Sequence, residues 1–564
     1  MQSSWNFVSP TGPLQWISNN DQVYSPEILQ RCCPSLLQKA IDHLDGARIV
    51  SVTVNNSGRH VEPAGEAMPA NIEAIDAHRP GHGDLAETGL PEFCDVRVEQ
   101  SVGGHVVLTT VWVPLAWNGR FFGVGGQGNR TSAPWIYPSG VRIATLPRAL
   151  RNGFAAAETD AGNRDPRFAD WGVAESGELD WELICNWVHR STHDMTLIGK
   201  AVTAAIHGKP PTYSYFQGTS GGGRQALMQV QRYPGDYDGV WASDPAINWS
   251  RMIPSTLWPA VVMKELGVVT PAKLRLFRRA AVVSAGSAAC RDGFISVREP
   301  ALPDPHGLVG AQTEDGEITA GDALVMQKIW EGPRTPAGEF LWFGLRPGAE
   351  SWGDNLFGSG VAMSTRINGD FVPIPFEIGR AYGAWVFRDP KWDWRKLTLD
   401  NFHEMVAISV RDFSELDTDD PDLSGLRESG GKLLLTHGLD DEVIPSAGTL
   451  QYYRKVLDEM GGLAETSSFV RLFQAPGEGH SHVTAAGPGL TLARGMAALM
   501  EWVEQQRAPD QVLGERYDVA TGRLTMSRPV CAYPGRAQYS GAGDPCVADN
   551  FTCAEETPSS LDSI

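Results

Sequence analysis

The sequence lacks long hydrophobic runs, has few cysteines and is short of positive charge. No stretch approaches the roughly 18 consecutive apolar residues that span a bilayer, so no transmembrane segment is predicted. The 564 residues contain eight cysteines without a CxxC pair, which argues against a zinc module. Lysine and arginine number 47 against 67 aspartates and glutamates, and this net charge of -20 repels phosphate backbones and anionic lipids. We therefore expect neither a nucleic-acid partner nor a membrane partner.

The amino-terminal segment also lacks the features of a secretory signal. Residues Met1–Gln22 have neither a basic start nor an apolar stretch of about 7 to 15 residues. The sequence therefore predicts a cytoplasmic protein, with secretion as the alternative. At 564 residues and 42% hydrophobic content, the chain is long enough for one large catalytic core that carries additional segments.

What the sequence does contain is a series of apolar runs that end in glycine-rich or proline-rich turns, a pattern typical of α/β proteins. Val106–Val113 is predicted as a buried strand. Three further predicted strands each end shortly before residues suited to catalysis: Tyr213–Phe216 before Ser220, Lys432–Thr436 before Asp440 and Asp441, and Phe469–Phe473 before His480. A helix predicted from Gly223 to Tyr233 places Ser220 at a sharp turn between strand and helix.

Three of these residues form the set that acyl transfer requires. A serine hydroxyl is a weak nucleophile, so it needs a base within hydrogen-bond distance and a third group that orients the base. Ser220 lies in Gly218–Gly222, where glycines permit a strained turn and close packing of strand against helix. We assign His480 as the base and Asp441 as its partner. The order serine, aspartate, histidine along the chain is that of α/β-hydrolases.

Some of these assignments have rivals. Asp440 competes with Asp441, because spacing in a loop does not determine which carboxylate points inward. The oxyanion hole needs two fixed N–H donors. We assign the first to Gly221 and the second to Gly126 or Gln127, which lie in a glycine-rich stretch that ends a strand. That stretch lacks the GxGxxG spacing of a dinucleotide loop.

Histidines and tryptophans outside the proposed triad receive structural interpretations. His482 lies two residues after His480, but the other ligands that zinc requires are missing, so no metal ligand is predicted. His437, at a predicted strand end, is interpreted as a structural histidine. Several tryptophans are interpreted mainly as packing residues, of which one or two can stack on an aromatic substrate: Trp330, Trp342, Trp352 and Trp385. No substrate-binding residue is assigned.

Changes of pattern along the chain divide it into four segments. Between Trp249 and about Arg427, short helices, turns and tryptophans replace the strand-then-loop units, which predicts an inserted lid domain. The predicted segments are an N-terminal segment with the first part of the core (1–249), the lid (250–427), the second part of the core (428–510) and a tail packing on the core (511–564). Cys531 and Cys553 can staple the tail locally if they are oxidised.

A set of motifs follows in fixed order from about Leu90 to Cys553. It comprises Trp117–Phe121, Tyr215–Gln225, Arg232–Gly239, Asp420–Leu423, Gly430–Leu433, His437–Asp441, Pro476–His480, Arg528–Pro534 and Phe551–Cys553. Together these motifs resemble the tannase and feruloyl esterase family, which also includes the hydrolase of mono(2-hydroxyethyl) terephthalate. The resemblance implies an α/β-hydrolase core with a large inserted lid domain. It also implies that the partner is a small-molecule ester of an aromatic acid.

Two departures from the family's pattern bear on the site. The family has a cysteine directly before the nucleophile and another directly after the histidine, joined in a disulfide, whereas Thr219 and Ser481 stand here. The family also has a lid loop with several aspartates that hold calcium, whereas Ser287–Ile295 contains only Asp292. One carboxylate cannot supply the about six to eight oxygen ligands that calcium takes. We therefore expect no cofactor and the loss of the lid calcium.

The sequence thus predicts a serine carboxylic-ester hydrolase that forms an acyl-enzyme on Ser220. Its expected substrate is an aromatic or polyketide-like ester, depside or lactone. The first alternative is an acyltransferase or a C–C bond hydrolase that uses the same triad in a secondary-metabolite pathway. The second alternative, from another class, is a catalytically silent binding protein, which is disfavoured because all three triad residues are present in order. The oligomeric state does not follow from the sequence.

Overall fold

The computed structural model describes seven stretches of the chain, which are residues 24–62, 85–132, 144–163, 171–351, 360–480, 486–518 and 521–555. Residues Met1–Gln22, where no secretory signal is predicted, lie outside these stretches, and so do Trp352, Ser481 and His482. Within the seven stretches, no helix is both long enough and apolar enough to cross a membrane.

Strands and helices alternate through the first part of the chain, as expected for an α/β core. Their order is α1 (Glu27–Arg31), α2 (Pro34–Ile41), β1 (Ala47–Asn55), β2 (Arg59–Glu62), β3 (Leu85–Thr88), β4 (Phe93–Val102), β5 (His105–Pro114), β6 (Arg120–Val124), α3 (Leu146–Arg151), β7 (Ala155–Thr159), α4 (Trp181–Cys185), α5 (Ser191–His207), β8 (Tyr213–Thr219), α6 (Gly221–Arg232) and β9 (Gly239–Ser243). A π-helical turn at Asn186–Arg190 joins α4 to α5.

The chain that follows β9 is mostly helical, and its described residues add no strand to the large sheet until residue 432. It contains α7 (Trp249–Ser255), α8 (Trp258–Leu266), α9 (Pro271–Ser284), α10 (Ser287–Asp292), β10 (Gln312–Thr313), β11 (Gly316–Glu317), α11 (Ala320–Glu331), β12 (Met363–Ile367), β13 (Asp370–Ile374), α12 (Glu377–Phe387), α13 (Phe402–Phe413) and α14 (Ser424–Ser429). Short 3-10 helices lie at Pro305–Leu308, Trp394–Lys396 and Ser414–Leu416. Residues 250–427 are called the insertion below. Its division from the core as a separate domain stays a prediction.

The chain then returns to the core and ends in two β-hairpins. The returning elements are β14 (Lys432–Gly438), α15 (Ser446–Glu459), α16 (Leu463–Thr466), β15 (Val470–Ala475) and α17 (Leu492–Gln505). The hairpins are formed by β16 (Gln511–Tyr517) with β17 (Leu524–Cys531), and by β18 (Gly535–Tyr539) with β19 (Phe551–Glu555). A 3-10 turn at Ala548–Asn550 leads into β19.

One sheet of nine strands organises the core, in the order β1-β4-β5-β7-β6-β8-β9-β14-β15. Neighbouring strands from β1 to β7 are antiparallel, and those from β7 to β15 are parallel. The carboxyl ends of parallel strands meet at the same edge of a sheet, where α/β proteins bind their ligands. The ends of β8, β14 and β15 therefore bring Ser220, Asp441 and His480 to one edge.

The predicted strands and the helix after Ser220 are present, with small shifts at their ends. Val106–Val113 lies inside β5, Tyr213–Phe216 inside β8 and Lys432–Thr436 inside β14, while Phe469–Phe473 overlaps β15. The helix begins at Gly221 instead of Gly223, because Ser220 is already its N-cap. The two hairpins of the insertion were not predicted, since strands of two to five residues carry little alternation of polarity.

The large sheet is buried on both faces by helices. Consecutive strand residues alternate between two apolar clusters, so that Tyr215 belongs to one cluster and Phe216 to the other. The cluster with Phe216 also contains Ile198 of α5, and the cluster with Tyr215 contains Met496 of α17. Burial on both faces is typical of parallel sheets whose connections are helices. The sheet edge that carries Ser220, Asp441 and His480 is therefore supported by packed helices on both faces of the sheet.

An apolar cluster rich in tryptophan joins the insertion to the part of the chain that precedes it. Trp171, Trp187 and Trp385 pack edge-to-face, with ring centroids 4.8 Å apart between Trp171 and Trp385 and 5.8 Å apart between Trp171 and Trp187. Trp330, Trp342 and Trp385 are 7%, 2% and 1% exposed, which confirms the packing role predicted for them. Trp249 joins the same cluster.

The tail packs on β15 and is closed by a disulfide. The N–H of Tyr533 donates to the carbonyl of Leu472 at 2.8 Å, and Ala532 forms a bridge with Phe473. Cys531 and Cys553 are joined, which confirms the pairing expected for oxidising conditions. The disulfide ties β17 to β19.

Removing the tail disulfide should destabilise the protein. Replacing both Cys531 and Cys553 by serine opens a loop of 22 residues, and its closure entropy corresponds to about 3 kcal/mol of unfolding free energy. Guanidinium-induced unfolding of the two proteins measures the difference. A reductant should lower the midpoint of the unmodified protein and leave that of the double variant unchanged. Equal midpoints for both proteins under oxidising conditions would contradict a stabilising role of the disulfide.

Candidate active site

Ser220 lies at the turn between β8 and α6, in a backbone conformation that few non-glycine residues adopt. Its φ is 62° and its ψ is -120°. Two hydrogen bonds hold the turn: the N–H of Ser220 donates to the carbonyl of Ser243 at 2.9 Å, and the N–H of Ala246 donates to the carbonyl of Ser220 at 3.0 Å. A methyl group on Gly218 would collide with the backbone of Gly222, so the flanking glycines allow the turn to close.

The carboxylate of Asp441 is fully buried and receives four hydrogen bonds. Its Oδ1 accepts from the backbone N–H groups of Val443 and Ile444, each at 2.8 Å. Its Oδ2 lies 2.8 Å from Nδ1 of His480 and 3.1 Å from Nε2 of His437. Burial alone would raise the pKa of this carboxyl, but the charge of His480 and the hydrogen bonds from both imidazoles outweigh burial and hold the pKa well below its usual range. Asp441 is therefore a charged partner for His480.

His480 follows β15, and its side chain is 15% exposed. Because Asp441 is ionised, Nδ1 of His480 carries a hydrogen, and Nε2 is the atom that can accept a proton. The backbone N–H of His480 donates to Oε2 of Glu442 at 3.0 Å. Burial would lower the pKa of His480, but the charge and hydrogen bond of Asp441, with the charges of Asp244 and Glu442, raise it to about 9. The environment favours the protonated imidazole.

Asp440, the rival carboxylate, points to the insertion instead. Its Oδ1 lies 3.0 Å from Nε of Arg346, and both side chains are largely buried. Arg346 also donates to the carbonyls of Ile295 at 3.1 Å and Val297 at 2.9 Å. Asp440 thus ties the loop after β14 to the insertion, whereas Asp441 contacts His480.

A cavity beside Ser220 lies between the core and the insertion. Ser220 and Gly221 line it, together with Val443 and Ile444, whose N–H groups bind Asp441. About 260 Å³ of space, part of it open to solvent, is not filled by protein atoms. Further walls are formed by apolar side chains, among them Ala246, Trp249, Met252, Ile253, Phe376 and Ile378. The nucleophile candidate and the loop that carries Asp441 therefore face one chamber.

The residues predicted for the oxyanion hole differ in whether their N–H groups are available. Gly221 is the first residue of α6, and the first four N–H groups of a helix have no acceptor within it. The N–H of Gly126 donates to Oε1 of Gln225 at 2.7 Å, so the assignment to Gly126 is corrected. The N–H of Gln127 has no acceptor among the described residues. Gln127 therefore remains as the candidate for the second donor.

Two buried residues that were not assigned to the site complete its surroundings. Asp244, directly after β9, accepts a hydrogen bond from the N–H of Gly438 at 2.8 Å. His437, interpreted as structural, contacts Asp441 through Nε2 and Thr449 Oγ1 through Nδ1, the latter at 2.9 Å. Asp244, His437 and Asp441 place ligand-type atoms within 4.8 Å of one another. Because these atoms already pair in hydrogen bonds, we describe the group as a hydrogen-bond network. In the sequence, the one signal of this network is the spacing of four residues between His437 and Asp441.

The position expected to hold calcium in the family carries arginines here. Oδ1 of Asp292 lies 2.9 Å from Nε of Arg291, and Oδ2 lies 2.8 Å from Nη1 of Arg528. Two guanidinium groups thus surround the single carboxylate of the loop, and they would repel a divalent cation. The residues present do not fit calcium.

At the positions of the family's disulfide, Thr219 is buried and accepts a hydrogen bond from Nε2 of Gln217 at 3.0 Å. The second position, Ser481, lies outside the described residues.

Comparison with known proteins identifies similar chains and a similar fold. The family model described as "Tannase and feruloyl esterase" matches residues 95–554. A probable feruloyl esterase of Arthroderma benhamiae is 36% identical over 484 residues, which cover 82% of this chain and 86% of that protein. An uncharacterized esterase of Xanthomonas campestris pv. campestris is 30% identical over 514 residues, which cover 83% and 85%.

Among solved structures, the tannin acyl hydrolase from Aspergillus niger is similar at a TM-score of 0.74, with 22% identity. The match covers 94% of this chain and 96% of that chain. At this identity the likeness shows the fold alone, and it confirms the predicted α/β-hydrolase fold.

Asp441→Asn should cost far more activity than Asp440→Asn. Without the charge of Asp441, His480 loses the partner that holds its tautomer and stabilises its cation, which in comparable triads lowers kcat by about 10⁴-fold. Asp440→Asn removes the ion pair with Arg346 and should mainly affect stability. The measurement is kcat on a chromogenic ester, with circular dichroism as the check on folding. Equal losses in the two folded variants would reject Asp441 as the partner of His480.

The raised pKa of His480 should determine how activity depends on pH. A base accepts a proton only when it is neutral, so kcat/KM should increase as the pH rises through this pKa, with a midpoint above the ordinary 6.5. Glu442→Gln removes one of the negative charges that raise it, so the midpoint should move to lower pH. A pH profile of kcat/KM for both proteins tests the expectation. A midpoint at or below 6.5 without the substitution would contradict it.

Proposed function

Because the chain belongs to the tannase and feruloyl esterase family and is a carboxylic ester hydrolase, we propose that it cleaves esters of aromatic acids through an acyl-enzyme on Ser220. The observation that carries the proposal is the 2.8 Å contact between Nδ1 of His480 and Oδ2 of Asp441, at the sheet edge where Ser220 lines a cavity. The names of the relatives support aromatic esters, since one is a probable feruloyl esterase.

The first half of the proposed reaction acylates the serine. Oγ of Ser220 attacks the ester carbonyl while Nε2 of His480 takes the hydroxyl proton, and His480 then gives that proton to the leaving alcohol. The charge of Asp441 stabilises the imidazolium that forms between these two transfers. The four hydrogen bonds to Asp441 keep its carboxylate ionised and in place.

The second half releases the acid. Nε2 of His480 takes a proton from a water molecule as the water attacks the acyl carbonyl, and the same proton returns to Oγ of Ser220 when the acyl bond breaks. Attack by an alcohol at this step would give acyl transfer in place of hydrolysis. The products formed with added alcohol therefore distinguish the two reactions.

For the oxyanion, we propose the N–H groups of Gly221 and Gln127 as the two donors. The bond from Gly126 to Gln225 supports this choice, because it fixes the loop that carries Gln127 against α6. Loss of one such donor typically raises the barrier by about 3 kcal/mol. The reaction needs no cofactor in this proposal, since every step is assigned to a side chain, a backbone N–H or water.

For the cellular compartment, a cytoplasmic location is the expectation and secretion is the alternative. The Cys531–Cys553 disulfide supports the alternative, because disulfides are typical of oxidising compartments. Intact mass of the protein from its native source decides between them, because the disulfide-bonded chain is lighter by two hydrogens. The protein with all thiols reduced would support the cytoplasm.

Covalent labelling tests the nucleophile. A fluorophosphonate should label the protein, and Ser220→Ala should abolish both labelling and hydrolysis of p-nitrophenyl and hydroxycinnamoyl esters. Ser214→Ala, on strand β8 that leads to Ser220, is the matched control and should be labelled normally. Labelling and hydrolysis should persist in EDTA, because no step uses a metal. Unchanged labelling of Ser220→Ala would reject Ser220 as the nucleophile.

A further inference from the structure

A second cavity adjoins the one beside Ser220. Met252, Thr256 and Val443 line both, so the two spaces meet at these side chains. The second space contains about 290 Å³ that protein atoms do not fill, part of it open to solvent. Its walls come mainly from apolar residues of the insertion, such as Ile329 and Leu345. A group bound at Ser220 therefore has a second apolar space beside it, on the other side of these three side chains.

The polarity of both cavities restricts what can occupy them. No charged side chain is among the described residues that line either cavity. The hydroxyl of Thr256 donates to the carbonyl of Ile253 at 2.6 Å, and that of Ser255 donates to the carbonyl of Arg251 at 2.7 Å, so neither hydroxyl has a free hydrogen. A buried charge or an unpaired buried hydroxyl is costly. Acid halves with a carboxylate or with several hydroxyls are disfavoured.

Each cavity also has one tryptophan in its wall. Trp249 lines the first cavity and Trp342 lines the second, and Nε1 of each is buried without a hydrogen-bond acceptor. Neither nitrogen is accessible to a bound group, so the indoles add no hydrogen-bond donor to the cavities. Aromatic rings pack favourably against indole faces.

We propose that the acid half of the substrate is an uncharged aromatic acyl group with an apolar extension. The aromatic ring occupies the cavity beside Ser220, and the extension passes Met252, Thr256 and Val443 into the second cavity. This inference rests on the esterase function proposed above and specifies which acids that function uses.

Methyl esters that share one alcohol test the inference on the unmodified protein. The value of kcat/KM for methyl 4-butoxycinnamate should exceed that for methyl cinnamate by about tenfold or more, because methylene groups gain binding energy in an apolar space. Methyl 3,4,5-trihydroxybenzoate and the monomethyl ester of terephthalic acid should be slower than methyl cinnamate by about 100-fold. In a series of 4-alkoxy esters, kcat/KM should rise from methoxy to butoxy. A flat or falling series, or a preference for the hydroxylated or charged acid, overturns the inference.

A variant that fills the second cavity gives an independent test. Leu345→Phe enlarges a side chain of that cavity, so the ratio of kcat/KM for the butoxy ester to that for methyl cinnamate should fall by about tenfold. Leu324→Phe is the matched control, since Leu324 is 38% exposed on α11 and does not line either cavity. This control should keep the original ratio. A ratio unchanged in a folded Leu345→Phe variant overturns the inference, and if that variant does not fold, the 4-alkoxy series decides.

The same measurements separate this inference from the proposed function. If methyl cinnamate is hydrolysed and Ser220→Ala abolishes the hydrolysis, the esterase function stands whichever acid is preferred. If none of the esters is hydrolysed, the proposed function fails, and the inference fails with it. Hydrolysis that depends on Ser220 but shows no gain from the extension overturns only the inference.

Discussion

The Asp441 carboxylate is a buried charge, and the arrangement of the site depends on how that charge is stabilised. An ionised carboxylate without partners costs several kcal/mol in a protein interior. Here the partners come from three places: the N–H groups of Val443 and Ile444, His437 on β14, and His480 after β15. The hydrogen bonds to this one carboxylate therefore hold the loop after β14 and the loop after β15 in place relative to the sheet. The orientation of His480 follows from the same hydrogen bonds.

The neighbouring carboxylate, Asp440, points away from His480 and contacts the insertion. Asp440 pairs with Arg346 of the insertion, and the carbonyl of Glu442 accepts a hydrogen bond from the N–H of Val361 at 3.1 Å. The loop after β14 thus holds the insertion on one side and the base on the other. Val443 and Ile444 in this loop also form part of the cavity wall. Displacement of the insertion would therefore act on the wall and on the support of Asp441 together.

The core and the chain order of the triad could be predicted because they leave local signals. Apolar runs followed by glycine-rich turns locate β8, and the strands before Asp441 and His480 are equally plain. The direction of a side chain in a loop leaves no such signal. Asp440 and Asp441 are separated only by their contacts with distant residues, and the N–H of Gly126 is occupied by Gln225, which lies 99 residues away in the chain. Short hairpins of the insertion were missed for the same reason, since tertiary packing and not local pattern forms them.

The ion pair at Asp292 extends the same reasoning to the link between the insertion and the tail. Where the family's pattern implies a cation among several carboxylates, this chain places two guanidinium groups around one carboxylate. The groups that pair with the Asp292 carboxylate here therefore belong to the protein itself. Arg528 comes from β17, which the Cys531–Cys553 disulfide joins to β19. The side chains of Asp292 and Arg528 are 4% and 7% exposed, so loss of either would leave a buried charge without its partner. The link between insertion and tail therefore depends on the fold of the tail.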